Sequence, residues 1–210
     1  MKLIIVFCAA YGRFTYFRRM ILSAKPQYSI VLLPPQEGID YVANLKNQLN
    51  DKIGWYNSRN AKAHVTVCEF TADLDELDRV INDLKEIASY EVPHHLVFDG
   101  VDSYANGAVF LKPDAETKAP LTALMVRVQK NLGVTNQYKS KSPHMSIGRK
   151  LSEENVALAL DMFAGAKLEF NCANLVLRKF NHKIKQYVVF SEDFPFLGLT
   201  RIEETQQSLF

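Results

Sequence analysis

The chain has 210 residues, 48% of them hydrophobic and 23% charged, and a formal net charge of +2. That length buries one good core and is short for two full domains, and the near-neutral balance excludes nucleic-acid binding through overall charge, so any basic surface has to be local. Three widely separated cysteines, Cys8, Cys68 and Cys172, give neither a zinc spacing nor an even disulfide set, and read as free thiols in a reducing cytoplasm.

In chain order, the apolar run at residues 3–10 is too short to span a bilayer. The YGRFTYFRRM after it is aromatic and basic, a poor cleavage region for a signal peptide. Met20 stands just before the first convincing strand, so residues 1–24 are expected to be an appendage from an upstream start codon. No later segment reads as membrane-bound. QYSIVLLPP, residues 27–35, reads as a buried strand stopped by two prolines. Ile39, Val42, Leu45, Leu49 and Ile53 then recur at helical spacing up to Gly54. A polar loop, NSRNAKA, leads into a strand over 63–70. Leu77, Val80, Ile81, Leu84 and Ile87 mark an amphipathic helix from Leu74, with Asp73 as its N-cap. HHLVFDGVDSY and GAVFLKP read as two strands of a hairpin, turned at Asn106-Gly107.

The second half repeats this order. A helix carries Leu121, Leu124, Met125, Val128 and Leu132 and ends at Gly133. A basic loop, TNQYKSKSP, precedes a strand over 143–149, and Ser152 opens a helix through Phe163. Strands near 167–179 and 184–190 join around Asn181 and His182. In each half, a helix, a polar loop, a strand, a helix and a hairpin follow one another. The expected class is α+β: two similar lobes, largely antiparallel sheets flanking a central cleft, and helices packed outside. The expected divisions are the appendage at 1–24, one bilobal domain at 25–200 and a tail at 201–210.

The two matched strands carry the chemistry. Side chains alternate across a strand, so His64 and Thr66 share one face with Val65 and Val67 behind them. His144 and Ser146 do the same, backed by Met145 and Ile147. Neighbours two apart sit roughly 7 Å from each other, so an imidazole and a hydroxyl can contact one ligand group together. Two such strands face to face would surround a small anion with two imidazoles and two hydroxyls. Imidazole titrates near neutrality, so one ring can take a proton while the other gives one. Attack on a phosphodiester needs both, and Thr66 and Ser146 could hold the non-bridging oxygens. No carboxylate cluster or His–Cys grouping stands near either motif, and this chemistry calls for no metal or other cofactor. Taken singly, either histidine would read as a hydrogen-bonded structural residue; the pairing with matched hydroxyls is what counts. His94 and His95 alternate to opposite faces after a proline and read as packing residues, and His182 as an exposed hairpin tip.

His64-Val65-Thr66-Val67 and His144-Met145-Ser146-Ile147 resemble the paired His-x-Thr/Ser-x signature of the two-histidine (2H) phosphoesterase superfamily, which includes 2′-5′ RNA ligase-like proteins and 2′,3′-cyclic phosphodiesterases. The resemblance covers about residue 27 to about 198. It implies a bilobal fold with a central cleft and metal-independent cleavage or formation of phosphodiesters. By that resemblance His64 would protonate the leaving ribose oxygen and His144 would activate water or a hydroxyl, with the roles exchanged in the reverse reaction.

Local charge fits a phosphate. Lys139, Lys141, Arg149 and Lys150 surround His144 with no acid between Glu116 and Glu153. Arg178, Lys179, Lys183 and Lys185 form a second basic run. The first run reads equally as solvated surface charge, and the second reads more readily so. Tyr56, Tyr138 and Tyr187 are candidate stacking surfaces for a base and also candidate packing residues. The expected site is therefore His64, His144, Thr66 and Ser146 for catalysis, with Arg149, Lys141, Lys139 and Tyr187 on the substrate. The expected function is a cytoplasmic, monomeric enzyme that opens 2′,3′-cyclic phosphates of RNA ends or nucleotides, with 2′-5′ ligation as its reverse. The alternative is a non-catalytic RNA- or nucleotide-binding module that uses the same cleft.

Overall fold

The structure is a computed structural model and describes residues 25–134 and 137–200. The expected appendage at 1–24, with Cys8, and the tail at 201–210 lie outside the described residues. In chain order the elements are β1 (Gln27–Leu32), α1 (Gln36–Ile53), β2 (Val65–Thr71), α2 (Leu74–Tyr90), β3 (His94–Tyr104), β4 (Ala108–Pro113), α3 (Ala115–Asn131), β5 (Tyr138–Lys139), β6 (Met145–Gly148), α4 (Glu153–Met162), β7 (Lys167–Cys172), β8 (Asn174–Asn181) and β9 (Gln186–Pro195).

Local chemistry sets most of these boundaries. β1 is buried from Tyr28 to Leu32 and stops before Pro34-Pro35, where the ladder loses its donors. Pro35 is already the N-cap of α1, whose buried stripe is Val42, Leu45 and Leu49 and whose last turn closes with Gly54 N–H on the Asn50 carbonyl. Asp73 caps α2 through a reciprocal box. Its Oδ1 accepts from Glu76 N–H at 3.0 Å, and its own N–H donates to Glu76 Oε2 at 2.9 Å. Gly107 turns the β3–β4 hairpin at φ +77°, and a Cβ there would fall 2.3 Å from the Leu151 carbonyl oxygen, so only glycine fits.

All strand pairs are antiparallel, in the order β7-β3-β4-β6-β2-β1-β8-β9, with β5 added alongside β2. The fold is α+β and bilobal, as expected. β7, β3, β4 and β6 form one half, β2, β1, β8 and β9 the other, and the two His-x-Thr/Ser strands meet at the join. They meet edge to edge, rather than face to face, through the partners Val65 and Met145. A single residue, Ala173, links β7 at one end of this order to β8 near the other end. One residue spans only about 3.8 Å between successive Cα atoms, so the sheet has to curl back on itself. The apolar sides of the strands and the stripes of the helices merge into one core, which includes Leu49, Leu84, Val65, Met145, Leu124 and Leu177. No helix among the described residues is long and apolar enough to cross a membrane.

Three expectations change. The strand read over 167–179 is two strands in opposite halves, because the apolar run LEFNCANLVL continues through the crossover and hides it. α3 begins at Ala115, ahead of the stripe that starts at Leu121, because Asp114 Oδ1 caps Thr117 N–H at 2.7 Å and Pro120 is accommodated inside the helix. The basic loop before β6 contains β5, two residues too short to show a pattern in sequence.

Candidate active site

The alternation expected of the two central strands holds residue by residue. Val65, Val67, Met145 and Ile147 are fully buried, while His64, Thr66, His144 and Ser146 are half-buried on the other face. Continuing the Val65–Met145 register by one residue each way sets His64 across from Ser146 and Thr66 across from His144. All four line one cavity of 410 Å³, together with Lys46, Glu69, Tyr104, Asn106, Tyr138 and Arg149 among others.

Both rings are held in the same tautomer. His64 Nδ1 lies 2.7 Å from the Lys62 carbonyl oxygen, and His144 Nδ1 lies 2.9 Å from that of Ser142. A carbonyl only accepts, so each Nδ1 carries the proton and each Nε2 is left for the cavity. Tyr104 and Phe110 flank the His144 ring, at 5.5 and 5.1 Å between centroids. Burial lowers the pKa of both rings. For His64 the Arg178 guanidinium adds to burial, with smaller pushes from Lys46 and His144, and the value falls to about 3 against the opposing pull of the Lys62 carbonyl. For His144 burial leads, the Ser142 carbonyl opposes it, and Arg149 adds a smaller push down. At both positions burial favours the neutral imidazole.

Two buried polar side chains position the loops that carry these rings. β2 pairs with β6 at Val65 and with β5 at Cys68 and Glu69, in registers that leave the segment between β5 and β6 looped out. Gln129 of α3 fixes that interruption, its Nε2 donating to the Val67 and Ser140 carbonyls at 2.8 Å each. On the other side Lys46 of α1, only 2% exposed, donates to the carbonyls of Ala61 at 2.5 Å and Ser58 at 3.2 Å. This ties down the approach to His64. Burial, helped by Arg59, brings the Lys46 amine down to about 8.

Lys46 and Glu69 escaped the sequence reading. Lys46 had a signal: it sits in the apolar stripe of α1 between Leu45 and Leu49. Glu69 had none, because simple alternation sends it into the core. A bulge between Ile30–Cys68 and Val31–Thr66 inserts Val67 as an extra residue and returns Glu69 to the cavity face. Burial raises its pKa, against Arg178, Arg149 and a hydrogen bond from Tyr187.

Of the substrate candidates, Arg149 lines the His cavity, and its N–H donates to the Asn57 carbonyl at 3.2 Å. Tyr187 lies in an adjoining chamber that shares His64. Lys139 and Lys141 line a different hollow, with Thr122, Met125 and Val126. Alternation explains the split, since Tyr138 and Ser140 turn into the His cavity and the two lysines turn away. Tyr56 is buried and donates to the Lys46 carbonyl, which makes it a packing residue. His94 sits half-buried 3.9 Å from Glu91, His95 contacts Asn171, and His182 is exposed. Among the described residues no group of three or more His, Cys, Asp or Glu is placed to hold a metal ion.

Comparison with known proteins decides the family. The family model described as the 2′-5′ RNA ligase superfamily matches residues 34–183. The chain belongs to the 2′-5′ RNA ligase superfamily. These are 2H phosphoesterases, and membership supports phosphoesterase activity in general terms. The solved structures agree on the fold. E. coli LigT in its apo form superposes with a TM-score of 0.60 at 12% identity, covering 80% of this chain and 96% of that one. E. coli LigT complexed with 3′-AMP gives 0.63 at 14% identity, covering 80% and 97%. TT0787 of Thermus thermophilus gives 0.60 at 16% identity, covering 82% and 98%. No curated protein sequence matches.

Proposed function

We propose that the protein opens 2′,3′-cyclic phosphates of RNA ends or nucleotides by acid–base catalysis between His64 and His144. The observation that carries this reading is the pair of rings with Nδ1 tied to a backbone carbonyl and Nε2 free toward one cavity, each across from a hydroxyl. His144 Nε2 takes a proton from water as the water oxygen bonds to phosphorus. The bond to the ribose oxygen breaks, and that oxygen takes a proton from His64 Nε2. Thr66 and Ser146 donate to the non-bridging oxygens as their charge grows. With a ribose 5′-hydroxyl in place of water, the same ring-opening step makes a 2′-5′ linkage: His144 Nε2 takes the hydroxyl proton, the bond from phosphorus to the 3′ oxygen breaks, and that oxygen takes a proton from His64 Nε2. All the groups used are this chain's own side chains, so activity is expected to survive EDTA. LigT has been crystallised with 3′-AMP, which fits a nucleotide as the occupant of this cavity.

The low pKa of His64 sets a condition. A phosphodiester anion in the cavity has to raise it enough to load the proton. Burial, and after it the Arg178 guanidinium, weigh on His64 and disfavour its charged form. The same depression favours one rival, a nucleotide-binding module in which His64 never becomes an acid. Turnover of a 2′,3′-cyclic nucleotide in EDTA, by wild type and by His64→Ala and His144→Ala, separates the two. Catalysis lost in either variant supports the enzyme; binding without turnover in wild type supports the module.

A further inference from the structure

The His cavity does not end at His64. Past His64, Glu69 and Arg149 it continues into a second chamber of 540 Å³, where Trp55, Lys150, Arg178, Lys185 and Tyr187 join the lining. None of these additional groups is used by the reaction described above.

This chamber carries uncompensated positive charge. Arg178 is only 5% exposed, and its Nη2 donates to Ser29 Oγ at 3.1 Å. Its Nε is buried with no hydrogen-bond partner, and no carboxylate lies within 4.0 Å of the guanidinium among the described residues. A guanidinium taken out of water without an ion pair is costly unless an anion completes it. The same β-bulge that turns Glu69 to the cavity puts it level with Ser29, and Ser29 is level with Arg178, so the three form one row across β2, β1 and β8. Glu69 is the chamber's acid, set against five cations, Lys62, Arg149, Lys150, Arg178 and Lys185.

The chamber also has flat apolar surfaces. The Arg178 guanidinium lies 5.2 Å from the centroid of the Tyr187 ring, and Trp55, the chain's single tryptophan, is 72% exposed at the rim. Cations beside aromatic rings are the surface that single-stranded nucleic acid takes, phosphates on the cations and bases on the rings.

We propose that the second chamber holds the adjoining nucleotide of a single-stranded oligonucleotide whose terminal phosphate lies between His64 and His144, its backbone phosphate on Arg178 and Arg149 and its base against Tyr187 and Trp55. The substrate is then a strand end rather than a mononucleotide. This rests on the function proposed above, and it makes the chamber, outside the reacting centre, the determinant of substrate length.

Two measurements test it together. In the first, kcat/KM is compared for a 2′,3′-cyclic mononucleotide and for a dinucleotide ending in a 2′,3′-cyclic phosphate. The dinucleotide is expected to be better by about tenfold or more, the scale one stacked base supplies. That ratio is expected to fall toward one in Lys185→Glu, an exposed position that leaves the core intact, and in Tyr187→Ala. In the second, Trp55 emission is followed while a 3′-phosphorylated dinucleotide, a 3′-mononucleotide or inorganic phosphate is added. Only the dinucleotide is expected to change the emission, and Lys185→Glu is expected to weaken the response. Equal kcat/KM for the two substrates with Trp55 emission unmoved overturns the chamber and leaves the catalytic reading standing. No turnover of either substrate, with a dinucleotide-specific emission change, supports the chamber and overturns the catalytic reading. A response to inorganic phosphate equal to that of the dinucleotide reduces the chamber to a simple anion site and overturns the proposal.

Discussion

Val65 and Met145 are register partners where the two halves of the sheet join, and their neighbours on either side make the site. Both are fully buried, so each histidine and hydroxyl is anchored by an apolar residue that cannot rotate out without exposing the core. A one-residue slip of either strand at this join would turn that strand's histidine and hydroxyl inward.

The hydroxyls should matter to the rate more than to binding. Thr66→Val and Ser146→Ala are each expected to lower kcat by about 10², the scale of one donor lost from a developing oxyanion, with a smaller change in KM. Steady-state kinetics on a cyclic nucleotide check this. A loss confined to KM would make the hydroxyls ground-state contacts only.

The two rings should titrate below the ordinary histidine value in the free protein, His64 furthest, near 3. Adding inorganic phosphate should raise both, because a bound anion favours the imidazolium. NMR of the ring protons across a pH series reads each one. The ring that phosphate brings closer to neutrality is the acid of the hydrolysis, so the same spectra assign the roles.

Linkage gives a stability consequence. The folded pKa of His64 is depressed below the unfolded value, so the unfolded chain binds the extra proton first. The neutral ring costs nothing above pH 6.5; as pH falls from 6.5 toward 3, stability is lost at about 1.4 kcal/mol per pH unit. His64→Gln should remove this slope, and urea unfolding of both proteins between pH 4 and 7 measures the difference. Parallel curves would contradict the buried neutral ring.

Lys46 should act through the loop it holds. Lys46→Met leaves the Ser58 and Ala61 carbonyls without their donor, at a cost of about 2 kcal/mol. It should also raise the His64 pKa, since Lys46 pushes that ring down. A denaturation curve and the His64 titration in the same variant check both, and a purely structural role would leave the titration unmoved.

How far the sequence revealed this site follows from which residues obey simple periods. His64, Thr66, His144 and Ser146 sit on unbroken alternation, so their shared face was readable. Glu69 lies past a bulge, which sequence does not show, and its return to the cavity was not. Lys139 and Lys141 were grouped with His144 by charge alone, although their alternation with Tyr138 and Ser140 already separated them. Arg178 looked like one more surface cation because its burial depends on β1, whose Ser29 lies 149 residues away in sequence. The link at Ala173 was hidden for the same reason: the curl that makes it short is a property of the whole sheet.

The central claim is that His64 and His144 act on one phosphate. The most direct measurement is a double-mutant cycle on turnover of a 2′,3′-cyclic nucleotide in EDTA. If the rings work as a unit, each single alanine variant loses most of the activity, about 10²-fold or more, and the double variant loses little beyond either one. Losses that multiply, or a single variant that keeps the wild-type rate, would contradict it.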